Sequence, residues 1–249
     1  MTSDDLVVDV SEDWMTACDI QRHFMQRLDG PIGGFDYGAH CRQLRALGGD
    51  CYDFTMLEEN RLALTIGDAS GKGLVAALMI SAVQSALRTA ALFAGCDVAT
   101  VLRAVNRQVH TFSSENQYAT LFYGVLDSGS RKLRYVNAGH NPPMVMRRNG
   151  STAWLQAGGA PVGMFPYWKY EEATFQLTEG DVVLGYTDGI VEALSPSGEE
   201  WGVEGLRRAV VENCEKGADE IVSAVFTSMD EFSQGYQTDD ATALALRIN

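Results

Sequence analysis

Four aspartates constrain this chain more than anything else in it. Asp50, Asp68, Asp188 and Asp239 each stand at the end of a strand-like run, beside a glycine or a second aspartate. They occur in Gly48-Gly49-Asp50, Gly67-Asp68-Ala69-Ser70-Gly71, Thr187-Asp188-Gly189 and Thr238-Asp239-Asp240, far apart in the chain. Turn chemistry accounts for any one of them. A fold that gathers all four makes an oxygen-only site suited to hard divalent cations.

The chain of 249 residues is long enough for a large core, and no Pro-, Ser- or Gly-rich linker interrupts it, so one main domain is expected. Its formal net charge of −14 is spread along the whole length, which argues against a nucleic-acid or anionic-membrane surface and suits a cation-binding cleft. Five cysteines, Cys18, Cys41, Cys51, Cys96 and Cys214, form no Cys-x-x-Cys pair, so neither a disulfide framework nor a zinc site is indicated and a reducing cytoplasm is the simplest compartment. Met1 to Val10 is acidic and unlike a signal peptide, and the longest apolar run, Leu74 to Ile80, is too short to span a bilayer. Asn149-Gly150-Ser151 reads as a turn.

Trp14, Ala17, Cys18, Phe24, Met25 and Leu28 recur at roughly 3.5-residue spacing, which predicts an amphipathic helix over Glu12 to Leu28 with Gln21 interrupting its seam. Such a helix lies on its own core, or serves a second copy or a regulator. Strands are expected at Phe35 to Leu47, Cys51 to Leu57 and Arg61 to Ile66, the last two joined through Glu58-Glu59-Asn60. Helices follow at Gly71 to Ala91, with Leu74, Leu78 and Ala82 on one stripe, and at Asp97 to Ser113. Further strands are predicted at Tyr118 to Leu126, Lys132 to Ala138, Pro143 to Arg147, Ala153 to Leu155, Glu172 to Leu177 and Val182 to Tyr186. Helices near Val203 to Asn213 and Asp219 to Ser233 precede a closing strand, Ala241 to Ile248. Hairpin-linked strands interrupted by helical pairs point to antiparallel sheets covered by helices.

Gly67-Asp68-Ala69-Ser70-Gly71-Lys72-Gly73 is not a P-loop: three residues rather than four separate the glycines, and Gly73 follows the lysine. It offers instead an aspartate at a strand end, the Ala69 carbonyl beside it, and Ser70 placed to cap the next helix. Lys72 sits at a glycine-rich helix start that favours an anion. No Gly-x-Ser-x-Gly, His-Glu-x-x-His or Gly-x-Gly-x-x-Gly pattern occurs, and His23, His40, His110 and His140 are scattered and read as structural or exposed. His140-Asn141-Pro142-Pro143 reads as a rigid turn.

The segments 48–54, 67–79, 118–124 (Tyr-Ala-Thr-Leu-Phe-Tyr-Gly), 137–143 (Asn-Ala-Gly-His-Asn-Pro-Pro), 186–193 (Tyr-Thr-Asp-Gly-Ile-Val-Glu-Ala) and 238–242 (Thr-Asp-Asp-Ala-Thr), in that order, resemble the SpoIIE/RsbU-type branch of the metal-dependent PPM serine/threonine protein phosphatases. The resemblance covers roughly residues 20 to 249. It implies an α+β fold, a four-layer αββα sandwich of two antiparallel sheets flanked by helices, with residues 1–28 an N-terminal acidic segment and helix and 29–249 the phosphatase domain. It also implies two Mn²⁺ or Mg²⁺ ions. Asp50 and Asp68 would bind metal directly, Asp68 bridging both ions, with the Ala69 carbonyl as a backbone ligand. Asp188 and Asp239 would complete one ion's shell, and Asp240 would support them. Oxygen-only ligands suit these ions better than zinc, and two ions activate water for in-line attack at phosphorus.

Two departures from the wider superfamily are visible. Ser70 stands where many relatives carry a histidine proposed as the leaving-group acid, and serine is a poor proton donor. Those relatives are also expected to carry a phosphate-binding arginine; the nearest candidate is Arg45, but its odd separation from Asp50 puts the two on opposite faces of a regular strand unless a bulge intervenes at Gly48-Gly49. Asp53 either tunes the site or caps a strand. By resemblance the substrate is a phosphorylated STAS-type anti-sigma-factor antagonist in a bacterial partner-switching circuit. The alternative is a catalytically silent module that binds a phosphorylated partner. Hydrolysis of nucleotides or nucleic acid is disfavoured by the charge.

Overall fold

The computed structural model describes residues 10–25, 34–58, 60–95 and 97–249. Met1 to Asp9, Leu28, Glu59, Cys96 and the expected boundary at 28/29 lie outside the described residues.

The elements, in chain order, are α1 (Val10–Phe24), β1 (Phe35–Arg42), β2 (Asp50–Glu58), β3 (Arg61–Ala69), α2 (Leu74–Ala94), α3 (Val98–Phe112), β4 (Ala119–Asp127), β5 (Lys132–Ala138), β6 (Met144–Met146), β7 (Thr152–Trp154), β8 (Gly158–Gly159), β9 (Ala173–Gln176), β10 (Val182–Tyr186), α4 (Asp188–Val191), α5 (Gly202–Asn213), α6 (Ala218–Ser233) and β11 (Ala241–Ile248). They form two sheets. The first has the order β1-β11-β10-β6-β7; the second has the order β2-β3-β4-β5-β8, with β9 also paired to β5. All pairs are antiparallel except β5 with β8, where Asn137 and Ala138 run parallel to Gly158 and Gly159.

Residue size decides which face of each strand meets what. Leu62, Leu64 and Ile66 of β3 join Phe54, Phe122, Leu244, Leu246 and Val183 between the sheets, while Ala63 faces the helices. In β11, Ala241, Ala243 and Ala245 face outward beneath α5 and α6, where they meet Leu206, Val210, Ile221 and Val225. Large apolar side chains thus fill the inter-sheet layer, and alanines let the helices approach the outer faces. With α2 and α3 on the second sheet and α5 and α6 on the first, the layers are αββα, as expected.

Three expectations are corrected. The first strand ends at Arg42, not Leu47, because the Leu44 and Gly49 amides both donate to the Asp240 carboxylate (2.7 Å each) and curl residues 43–49 into a loop. On α2 the buried face is Ala76, Ala77, Met79, Ile80, Val83, Gln84, Leu87 and Ala91, whereas Leu74 and Leu78 are exposed. This helix is apolar around most of its circumference, so spacing alone does not reveal which stripe the sheet covers. It is also long and apolar enough to cross a membrane by length and composition, although the notional run ends early at Ile80. It is a core helix here: Gln84 Nε2 donates to the Tyr52 carbonyl (3.3 Å) and Arg88 pairs with Asp53. Finally, Gln21 does not interrupt the seam of α1 but is, with Cys18, its most buried residue.

Arg88 reaches both oxygens of Asp53 (2.7 and 2.9 Å) and the Phe24 carbonyl (2.9 Å), binding α1, α2 and β2 together. The Asp53 side chain is only 4% exposed and that of Arg88 is 37% exposed. Arg88→Met therefore strands a buried carboxylate. It is expected to destabilise by about 2 kcal/mol, below the ~3–5 kcal/mol of a fully buried broken pair because Arg88 is partly solvated. Asp53→Asn, which leaves a solvated cation, is expected to cost less. Denaturant midpoints of the two variants test the order; equal or reversed losses would contradict it.

Candidate metal centre

Asp50 opens β2 and Asp68 lies near the end of β3, and the register pairs them directly. Residues of the same parity along a strand share a sheet face. Asp50 follows the row of Tyr52 and Phe54, and Asp68 the row of Leu64 and Ile66, so both apolar rows of the inter-sheet layer end in a carboxylate at the same edge. Asp53 has the opposite parity and faces α2, where Arg88 holds it, so the structure keeps it out of the group.

The first sheet closes over this edge. Thr187 follows β10 and Thr242 lies in β11. Their hydroxyls both donate to Asp50 Oδ2, at 2.7 Å each. Thr187 and Thr242 also bond to each other: the Thr187 amide donates to the Thr242 carbonyl (3.0 Å) and the Thr242 amide to Thr187 Oγ1 (2.9 Å). Asp188 directly follows Thr187, and Asp239 lies three residues before Thr242, so both arrive at the edge that holds Asp50 and Asp68. Gly189 permits the approach, since a Cβ there would run into the Asp240 carbonyl. Neither threonine was singled out from the sequence, although both stand inside the motifs that supplied Asp188 and Asp239.

The grouping is visible in the titration of the acids. Burial, then repulsion from Asp240 and Asp188, raises Asp50 to about 7 against the opposing pull of the two threonine hydroxyls. Burial, then Asp50, Asp188, Asp239 and Asp240, raises Asp68 to about 8. Asp188 is raised by burial and by Asp239. Asp50, Asp68 and Asp188 are thus each raised in part by a neighbouring carboxylate.

Several of these oxygens are engaged. Lys72 Nζ sits 2.6 Å from Asp239 Oδ2 and 3.3 Å from the Thr238 carbonyl. Asp240 accepts the Leu44 and Gly49 amides. Among the described residues, no group of three His, Cys, Asp or Glu side chains stands close enough to hold an ion in this arrangement. The donor chemistry nevertheless fits a hard cation: the group is all oxygen and carries uncompensated repulsion. Gly49 leaves a hollow beside it, where a Cβ would come within 3.2 Å of Asp68 Oδ1 and 3.0 Å of the Ala69 carbonyl.

Arg45 lies in the 43–49 loop rather than on a strand, so the parity objection to it falls away. A Cβ on Gly73 would stand 3.3 Å from its Nη1, which places the exposed guanidinium at the start of α2 beside Lys72. Ser70 does not cap α2, whose N-cap is Gly73. Its hydroxyl donates to the Asn116 carbonyl (3.1 Å) and accepts the Tyr118 amide (3.0 Å), because the positive φ of Gly71 and Gly73 carries the chain on before the helix begins. His140 is buried with Nδ1 2.9 Å from Thr120 Oγ1, and Thr120 pairs with Asp68 across the β3–β4 ladder. Burial lowers His140 to about 4, so it is a neutral support under the site.

The chain matches the family model for Stage II sporulation protein E (SpoIIE) over residues 58–249. It belongs to that family, and so to the SpoIIE/RsbU branch of the PPM phosphatases. It is 28% identical over 260 residues to Protein IcfG of Synechocystis sp. (strain ATCC 27184 / PCC 6803 / Kazusa), covering 92% of this chain and 40% of that protein. It is 26% identical over 213 residues to Phosphoserine phosphatase RsbU of Bacillus subtilis (strain 168), covering 85% and 63%. The chain thus spans less than two thirds of these relatives. The SiaA-PP2C domain of Pseudomonas aeruginosa shares the fold, with a TM-score of 0.85, 19% identity, and 97% and 98% of the two chains covered.

The raised acids set a pH dependence. Asp50 and Asp68 hold their protons more tightly folded (about 7 and about 8) than unfolded (3.8), so the native state carries the extra protons and stability falls as pH rises toward 8. His140, lowered from 6.5 to about 4, opposes this only below its unfolded value. In chelator the melting midpoint is therefore expected to fall from pH 6.5 to pH 8. A rise over that interval would contradict the carboxylate grouping.

Proposed function

We propose that this chain is a Mn²⁺- or Mg²⁺-dependent phosphatase that hydrolyses phosphoserine or phosphothreonine in a protein. The observation that carries this reading is the direct pairing of Asp50 with Asp68 at a sheet edge, over which the threonine bonds bring Asp188, next to Thr187, and the start of β11, three residues after Asp239. Asp50, Asp68, the Ala69 carbonyl, Asp188 and Asp239 would hold two ions, and Asp68 would be shared by both. Such a pair supplies activated water and neutralises charge developing on a transferring phosphoryl group.

The remaining roles belong to the chain's own side chains. The two threonine hydroxyls hold Asp50 in one orientation, and Asp240 holds the loop that delivers it. Lys72 and Arg45, at the rim beside the start of α2, would bind the phosphate of the substrate, Lys72 from its place beside Asp239. Ser70, turned toward Asn116 and Tyr118, donates no proton, so the leaving group takes its proton from solvent in the site. By family resemblance the substrate is a phosphorylated STAS-type anti-sigma-factor antagonist in the cytoplasm, and the relative named a phosphoserine phosphatase supports the reaction class. Residues Trp14 to Leu28 are the segment through which a second copy or a regulator acts.

One observation favours the alternative of a silent phosphoprotein-binding module: Asp239 is already paired with Lys72. Hydrolysis of para-nitrophenyl phosphate with and without Mn²⁺ separates the two readings. Asp68→Asn gives a sharper test. Turnover at saturating Mn²⁺ is expected to fall by more than about 100-fold, since groups that merely support metal ligands already cost about 10–100-fold. The same substitution removes a repelling charge, so the melting midpoint in chelator is expected to equal or exceed that of the unsubstituted protein. Undiminished turnover would refute the role of Asp68.

A further inference from the structure

Gly48 is buried at the point where β1 has ended and β2 has not begun, so no neighbouring strand meets its peptide groups. The side chain of Gln21 meets them instead. Its Nε2 donates to the Gly48 carbonyl at 2.7 Å, and its Oε1 accepts the Gly48 amide at 3.3 Å and Gln43 Nε2 at 2.9 Å. A carboxamide is chemically a peptide group, and here it satisfies both polar groups of one residue, as a paired strand would.

What lies beyond Gly48 makes this more than a staple for α1. The Gly49 amide donates to Asp240 Oδ2 at 2.7 Å, and the Gly49 carbonyl accepts the Ala69 amide at 3.0 Å. Asp50 comes next in the chain. Gln21 therefore holds one side of a two-glycine turn whose other side carries Asp240, Ala69 and Asp50. Neither glycine tolerates a side chain: a Cβ on Gly48 would strike the Asp240 carboxylate, and one on Gly49 would crowd Asp68 and Ala69. Cys18, Leu47 and Ala77 pack beside it and hold α1 against the loop and α2.

We propose that Gln21 is a positioning residue for the cation site: from α1 it sets the Gly48–Gly49 turn, and through it the spacing of Asp50 and the Ala69 carbonyl. This rests on the metal-dependent reading above. Removing a group that orients metal ligands from one step away typically costs about 10–100-fold in metal affinity or activity.

The test is a Mn²⁺ titration of the full chain, following the electron paramagnetic resonance signal of free Mn²⁺, with turnover and thermal unfolding measured alongside. For Gln21→Leu, of similar size but without polar atoms, the dissociation constant for Mn²⁺ is expected to rise about tenfold or more, with kcat at saturating Mn²⁺ within about threefold of the original. An unchanged dissociation constant, whatever happens to the melting midpoint, would reduce Gln21 to a staple and overturn the proposal. If Gln21→Leu does not fold, Gln21→Asn, which keeps the amide but withdraws it by one methylene, carries the same expectation and the same refutation. Were the unsubstituted protein to take up no Mn²⁺, the metal-dependent reading itself would fail. Uptake by both proteins with equal affinity would remove only the role of Gln21.

Discussion

Two threonine hydroxyls on a single carboxylate oxygen join the two halves of this molecule where it matters most. Asp50 belongs to the second sheet, Thr187 and Thr242 to the end of the first, and the 2.7 Å bonds among them close the sandwich at one edge. A carboxylate 1% exposed is costly unless hydrogen-bonded, and these donors supply what solvent would otherwise give. They do not cancel its charge. Asp68 stands directly opposite, and Asp188 and Asp240 face it as well, so the closed edge retains repulsion that protonation or a cation relieves.

The rest of the fold serves that edge. Alternating large and small residues in β3 and β11 build an inter-sheet layer whose rows terminate in the acids, while alanines face the covering helices and Lys72, just before α2, pairs with Asp239. Glycines act where backbone meets backbone or carboxylate: Gly49 beside Asp68, Gly189 against the Asp240 carbonyl. Stability is given up at the centre of such a site and recovered in the three apolar layers around it.

Much of this was legible in the residues. β5, β10 and β11 begin and end where periodicity and turn residues put them, and antiparallel sheets covered by helices followed from hairpin-linked strands broken by helical pairs, the four-layer order from the family resemblance. The acids were legible because four unrelated turns shared one chemistry. What escaped reading depended on partners far away in the chain. Gln21 looked like a flaw in an apolar seam because its partner, Gly48, is 27 residues on. Arg45 looked misplaced because the loop at 43–49 is shaped by Asp240, nearly two hundred positions later. The buried face of α2 was ambiguous because the helix is apolar on several sides, and β8 consists of two glycines with no side-chain pattern to read. Ser70 was assigned to a cap by proximity to the helix, whereas two left-handed glycines delay the helix beyond its reach.

The most direct test of this account is anomalous scattering at the manganese edge from crystals grown with Mn²⁺. The account predicts two peaks bounded by Asp50, Asp68, the Ala69 carbonyl, Asp188 and Asp239, about 3.5 to 4 Å apart as in other two-metal sites. Crystals soaked to saturation with no manganese between these carboxylates would contradict it.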